Sequence, residues 1–276
     1  MPAPQKKQLA QLTKVNFNAK QVKLPTQWKP PGSQYPEAFD PNELFTVPNP
    51  PNNLFREPTL NKYHVDSAKD IGKDFENYID GISEGICDGI NNWLKLATVV
   101  GVIITGPVGI VTPGMVQGPP LGPLILAKAP MKTPQEQKYS NAIANALGTV
   151  WQAWHLAIVG TLQYPAFAAF PGPVAPPTPN VPIPLAALPS PAEVGLAPPA
   201  LQGLMFTNLA DPDALHAVEL FSSIATAFNT VFQIFKASTL VQNVMGTGPI
   251  PTFAPPFVPA GPVIGGVGNG APGCLK

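Results

Sequence analysis

An amphipathic helical stretch that runs into an apolar, Pro/Gly-punctuated tail occurs three times in this chain, beginning near Phe75, Tyr139 and His216. In the first and third copies, Trp93 precedes Gly106-Pro107-Val108 by the same interval that separates Phe235 from Gly248-Pro249-Ile250. The middle copy is diverged. Its helical part carries Trp151 and Trp154, its apolar exit runs from Leu156 to Leu162, and its Gly-Pro-Val comes later, at Gly172-Pro173-Val174. A unit of this kind cannot bury its own apolar face, so the copies must cover one another. Copies that stop at three, with narrow apolar seams and unequal tails, predict a closed pseudo-three-fold arrangement rather than an open solenoid.

The seams are explicit. Phe75, Ile79, Ile82, Ile86, Ile90 and Trp93 recur at steps of three and four, which places them on one face of a helix starting near Asp66 or Ser67. Gly81, Gly85 and Gly89 form a line of small residues on the same helix. Each costs about 1 kcal/mol relative to alanine, so close approach by another backbone is the expected compensation. Thr133-Pro134-Gln135-Glu136 is a capping box with proline in the first turn, and Ile143, Leu147, Val150 and Trp154 follow at helical spacing. Asp211-Pro212 reads as the start of the third helix, with Val218, Phe221, Ala225, Phe228, Phe232 and Phe235 as its seam. These helices are short for a freestanding coiled coil, so a compact three-helix bundle is expected.

Proline governs the rest. With 38 Pro and 24 Gly beside a 45% hydrophobic share, the chain is too apolar for a solvated disordered segment, so proline is expected to set the path of extended, buried stretches. The tail after the first helix breaks into short β-branched or Leu-rich runs between Gly106-Pro107, Thr112-Pro113-Gly114 and Gly118-Pro119-Pro120, which read as strands and turns. Val174–Leu188 and Thr252–Ile264 read as polyproline-like segments or single edge strands. The expected class is α+β: three helix-plus-strand repeats forming a pseudo-three-fold helical bundle with short Pro/Gly-rich strands. Residues 1–65 form an extended, Pro-rich basic arm, followed by repeats at 66–132, 133–210 and 211–276. Six lysines from Lys6 to Lys29 precede the first acidic residue, Glu37, which suits the arm to an acidic protein surface. The lack of arginine and the sparse aromatics between Lys6 and Lys29 disfavour nucleic acid.

No catalytic constellation emerges. His64, His155 and His216 lie outside metal-ligand spacing of one another and of Cys87 and Cys274, and the nucleotide-binding, nucleophile-elbow and zinc-protease motifs are missing. Asp80, Glu84 and Asp88 read as a solvated helix face. No cofactor, metal or small-molecule substrate is expected, and the residues that matter are structural. They are the seam positions Phe75, Ile79, Ile82, Ile86, Trp93, Ile143, Leu147, Trp154, Phe221, Phe228, Phe232 and Phe235, with Gly81, Gly85, Gly89, Gly106, Pro107, Gly248 and Pro249 at close contacts and turns. The apolar run Leu96–Ile104 is too short to cross a bilayer, because Gly106-Pro107 closes it.

The repeated helix with its Gly-Pro-Val/Ile tail, in a chain of zero net charge and two cysteines, resembles virion structural proteins of tailed bacteriophages, particularly small tail and baseplate components. The resemblance implies a non-enzymatic subunit of the virion whose partners are other virion structural proteins. It carries no functional residue over to this chain. Head decoration or vertex placement is the first alternative. A membrane-active protein built on Val99–Ile104 and Phe167–Leu188 is the second.

Overall fold

The computed structural model describes residues 4–22, 65–167, 172–252 and 262–276. Most of the expected arm, residues 23–64, lies outside them, as do 168–171 and 253–261 in the later tails. The protein is α+β. Its elements in chain order are α1 (Lys6–Asn18), α2 (Val65–Leu96), β1 (Thr98–Thr105), β2 (Val108–Val111), β3 (Val116–Gln117), α3 (Leu121–Leu126), α4 (Pro134–Leu156), β4 (Gly160–Gln163), β5 (Val174–Pro179), β6 (Ile183–Pro184), α5 (Pro198–Leu209), α6 (Ala217–Ser238), β7 (Leu240–Val241), β8 (Val244–Pro249) and β9 (Ile264–Gly270).

The three long helices α2, α4 and α6 run side by side in one direction. Tyr78, midway along α2, meets Tyr139 near the start of α4, which meets Phe221 near the start of α6, with ring centroids 6.4 and 5.8 Å apart. Near their ends they meet in an aromatic cluster. There the rings of Trp93 and Trp151 stand 5.2 Å apart, those of Trp151 and Trp154 4.8 Å, and those of Trp154 and Phe232 5.0 Å. Short helices fill the gaps. α3 lies between α2 and α4, α5 between α4 and α6, and α1 between α6 and α2, so six helices form a ring where sequence reasoning expected a three-helix bundle.

The glycine line of α2 is the bed of α3. A methyl placed on Gly85 would lie 2.9 Å from the Ile125 carbonyl, one on Gly89 2.9 Å from the Ile125 side chain, and one on Gly81 2.6 Å from Pro130. α3 therefore runs back along α2 at near-backbone contact, at positions where any Cβ would push it away.

Three local expectations differ from the structure. Residues 6–18 of the arm are helical, because Leu9, Thr13 and Phe17, spaced four apart, bury one stripe. The third long helix begins at Ala217, not at Asp211-Pro212, since that step forms a turn in which Ala214 N donates to Asp211 O. Val218 is consequently exposed, and Phe75 is only half-buried, against Phe17. The prolines at Pro198 and Pro199 sit in the first turn of α5, where a missing N–H costs nothing. The capping box of α4 is present in full. Thr133 Oγ1 accepts from Glu136 N at 3.1 Å and Glu136 Oε2 from Thr133 N at 2.9 Å.

The tails join into one curled antiparallel sheet of order β4-β2-β1-β9-β8-β5, with β3 pairing the start of β1. They do not wrap the bundle. A bulge at Gly101, which has φ +75°, shifts the phase of β1 so that Val99, Val102 and Ile104 all face inward. Gly106, with φ +62°, turns β1 into β2, whereas Gly248 lies inside β8 with its backbone against Gly266. The two Gly-Pro steps thus do different work. A second, smaller sheet pairs β6 with β7, and Val241 bridges to Leu275.

His155 ties helix to sheet. Its ring is buried beside Trp93, and its Nδ1 donates to Val116 O at 3.2 Å. Burial lowers its pKa, against a smaller upward pull from that carbonyl, and burial also lowers that of His216.

Two outcomes follow. Gly85→Ala should destabilise the fold by about 1–3 kcal/mol through overpacking. Gly203→Ala, at an exposed α5 position with open space around it, should stabilise by about 0.5–1 kcal/mol; urea unfolding of both would reject the packing account if the signs agreed. Because the folded-state pKa of His155 is depressed, the unfolded chain takes up the proton first. Stability is therefore whole above about pH 6.5 and falls as pH drops towards the folded value. Melting temperature between pH 7.5 and 5.5 should decline less steeply in His155→Gln than in the parent, and equal slopes would rule this out.

Candidate interface

Charge divides the molecule into two layers. No Asp, Glu, Lys or Arg occurs in residues 96–127, 157–192 or 237–275, and these three runs supply every described strand. Among the described residues the charges lie on the helices and the loops between them, apart from the terminal Lys276. There they pair: Lys6 with Glu84 and Lys14 with Asp80, both at 2.8 Å, Lys138 with Asp211 at 3.3 Å, and Lys236 with Glu193 at 2.5 Å. The acidic stripe read as a solvated face is thus partly covered by the protein's own basic α1.

The outer face of the sheet carries a row of β-branched side chains that crosses five strands. Registers Thr161–Ile110, Ile110–Ile103, Ile103–Val267 and Val267–Thr247 place them directly opposite one another. Ile103, Ile110 and Val267 are 48%, 44% and 44% exposed, and Ile264, Met245 and Val174 extend the apolar surface. Thr247 Oγ1 donates to Ala175 O, joining the row to β5.

The curl presenting this face is held from inside. The ring of Tyr164, just after β4, fills space that glycines leave on opposite walls. A methyl on Gly109 or Gly246 would lie 2.8 or 2.6 Å from its ring carbons, and one on Gly268 2.6 Å from its hydroxyl. Val181 N donates to Gln163 O at 2.7 Å, drawing the two ends of the sheet together. The Tyr164 hydroxyl is buried without a hydrogen-bond partner among the described residues, and burial raises its pKa to about 12.

The sequence-predicted positions fall in three places. Ile79, Ile82, Ile86, Trp93, Ile143, Leu147, Trp154, Phe221, Phe228, Phe232 and Phe235 are buried in the helical core, and Trp93, Trp154, Phe232 and Phe235 come together in the aromatic cluster. Gly81, Gly85 and Gly89 lie under α3 and the loop after it. Gly106-Pro107 and Gly248-Pro249 belong to the sheet. His64 is outside the described residues; His155 and His216 stand apart. Cys87 and Cys274 are free and buried, and burial drives the Cys87 thiol up to about 12. Among the described residues no three His, Cys, Asp or Glu side chains form a group that could hold a metal ion.

The outward row Ile103, Ile110, Val267 was missed from sequence. The signal that could have found it is the run of uncharged residues in each tail. Val99–Ile104, considered as a membrane segment, is a central strand. α6 is the only described helix long and apolar enough to cross a membrane, and its apolar stripe is the phenylalanine seam of the core. No protein-family model matches the chain, and no match is found among curated proteins or solved structures.

The support from Tyr164 is testable. Gly268→Ala should cost about 1–3 kcal/mol, and Tyr164→Phe should be neutral or stabilising by about 1 kcal/mol, since it removes an unpaired buried hydroxyl. In the Tyr164→Phe background the cost of Gly268→Ala should shrink, because the atom it opposes is gone; additivity in denaturant unfolding would reject the contact.

Proposed function

We propose that this chain is a non-enzymatic structural subunit of a bacteriophage virion, placed in the tail, baseplate or injection apparatus, where it locks neighbouring chains. The observation that carries this reading is the uncharged sheet face with its exposed β-branched row. A surface that becomes buried in an assembly must shed its charges, because an unpaired buried charge costs several kcal/mol. Interface cores are accordingly depleted of charge. A free monomer gains nothing from such a face, and charged residues normally guard a sheet surface against association.

The alternation of three long and three short helices supports the finer part of the proposal. Each long helix points at the sheet, enters strands, and is followed around the ring by a short helix, so that the helical layer acts as three quasi-equivalent units. A subunit built this way can match a three-fold neighbour with its helices while its unequal tails meet a different chain on each side.

Ile103→Lys combined with Val267→Lys tests the proposal. Both side chains are about half exposed, so the isolated variant should keep its melting temperature within the small range of surface substitutions, about 0.5 kcal/mol each. Incorporation into particles should be lost, read by quantitative mass spectrometry of purified virions. Wild-type incorporation of the variant would overturn the role of the face, and absence of the parent chain from virions would overturn the placement. Copy number separates tail from head: a handful per particle fits the tail, hundreds fit head decoration.

A further inference from the structure

We propose that the groove between α2 and α6 is an exchange site, filled in the assembled state by helix α1 of a second copy of this chain. The inference rests on how α1 is held and tethered, and stands whether or not the assembly is a phage tail. Among the described residues, α1 closes the helical ring through side-chain contacts. Leu9 and Phe17 are almost completely buried, Phe17 stands 5.0 Å from Phe75, Asn16 Nδ2 donates to Ser223 O at 3.4 Å, and Lys6 and Lys14 reach Glu84 and Asp80. None of these contacts distinguishes the chain's own helix from a neighbour's. The ion pairs are largely exposed and therefore screened by salt, so the apolar stripe does most of the holding.

The tether is far longer than internal docking requires. α1 runs antiparallel to α2, with Phe17 beside Phe75, ten residues into α2 and about 15 Å from its start. Val22 therefore lies no more than about 40 Å from Val65, whereas the 42 residues from 23 to 64 can span about 140 Å when extended. Forty-two intervening residues set an internal effective concentration no higher than the order of millimolar. Neighbouring copies packed in an assembly present their arms at a comparable level. Every copy supplies one arm and needs one arm, so exchange leaves no groove empty, and swapping of an identical element is a low-cost way to join protomers.

Cross-linking of the full chain decides the matter. Lys6→Cys and Glu84→Cys are placed on two differently tagged copies, co-expressed, concentrated and treated with a short bis-maleimide. The native Cys87 and Cys274 are buried, and the treated parent chain provides the background. Exchange predicts a covalent heterodimer in at least about a tenth of the chains, rising with protein concentration as expected for a bimolecular contact. The variant carrying both cysteines in one chain reports internal docking. An internal cross-link in that variant, with no heterodimer from the mixed pair up to millimolar protein, would overturn the exchange. Absence of both products would overturn the docking of α1 itself.

Discussion

Everything in this protein hangs from the place where three helices end. Trp93 sits in the last turn of α2, Trp154 in that of α4 and Phe235 in that of α6, and Trp151 and Phe232 join them one turn earlier. Contacts of this kind contribute about 0.5–1.5 kcal/mol each beyond the area they bury. Their larger effect is geometric. Each helix passes to a strand within a few residues of its ring, so the cluster fixes the starting points of β1, β4 and β7 relative to one another. The cluster also has a cost, since the indole N–H groups of Trp93, Trp151 and Trp154 are buried without acceptors among the described residues. A core that accepts unpaired donors keeps these rings for their shape.

The two layers obey different rules. The helical layer is held by apolar seams, glycine-bedded contacts and surface ion pairs, and its loops carry charge. The strand layer lacks Asp, Glu, Lys and Arg altogether and holds its curl with one tyrosine against glycines. Proline serves this division. It opens helices at Pro134 and Pro198, and in the sheet it stands at Pro179 and Pro249, in the pair that ends the sheet among the described strands.

Much of the helical layer was legible. The 3.6-residue period revealed the faces of α2, α4 and α6, and the Thr133 box located the start of α4, because both signals are local. The glycine line of α2 announced a close neighbour without saying which. α3 and α5 were not legible, since prolines at 120, 123, 198 and 199 read as helix breaks until tertiary packing shows that Pro120 caps α3 and the others lie in first turns. α1 hid behind its lysines: Leu9, Thr13 and Phe17 make too narrow a stripe to outweigh the arm's polar composition. The outward row on the sheet escaped for another reason. Its signal is the absence of charge over long stretches, and pairing Ile103 with both Ile110 and Val267 requires a register that no single tail contains.

That register also orders events during synthesis. The strand that lies between β1 and β8 is β9, the last of the described strands, so that edge of β1 waits for a partner some 160 residues downstream, a separation of the kind that slows folding. The helices, with their local periodicity, have no such wait. β1, β2 and β4 can pair before that, so the row from Thr161 to Ile103 precedes β9, and only its continuation through Val267 to Thr247 has to wait for it. The continuous five-strand apolar row is thereby completed late, after the helices that carry it.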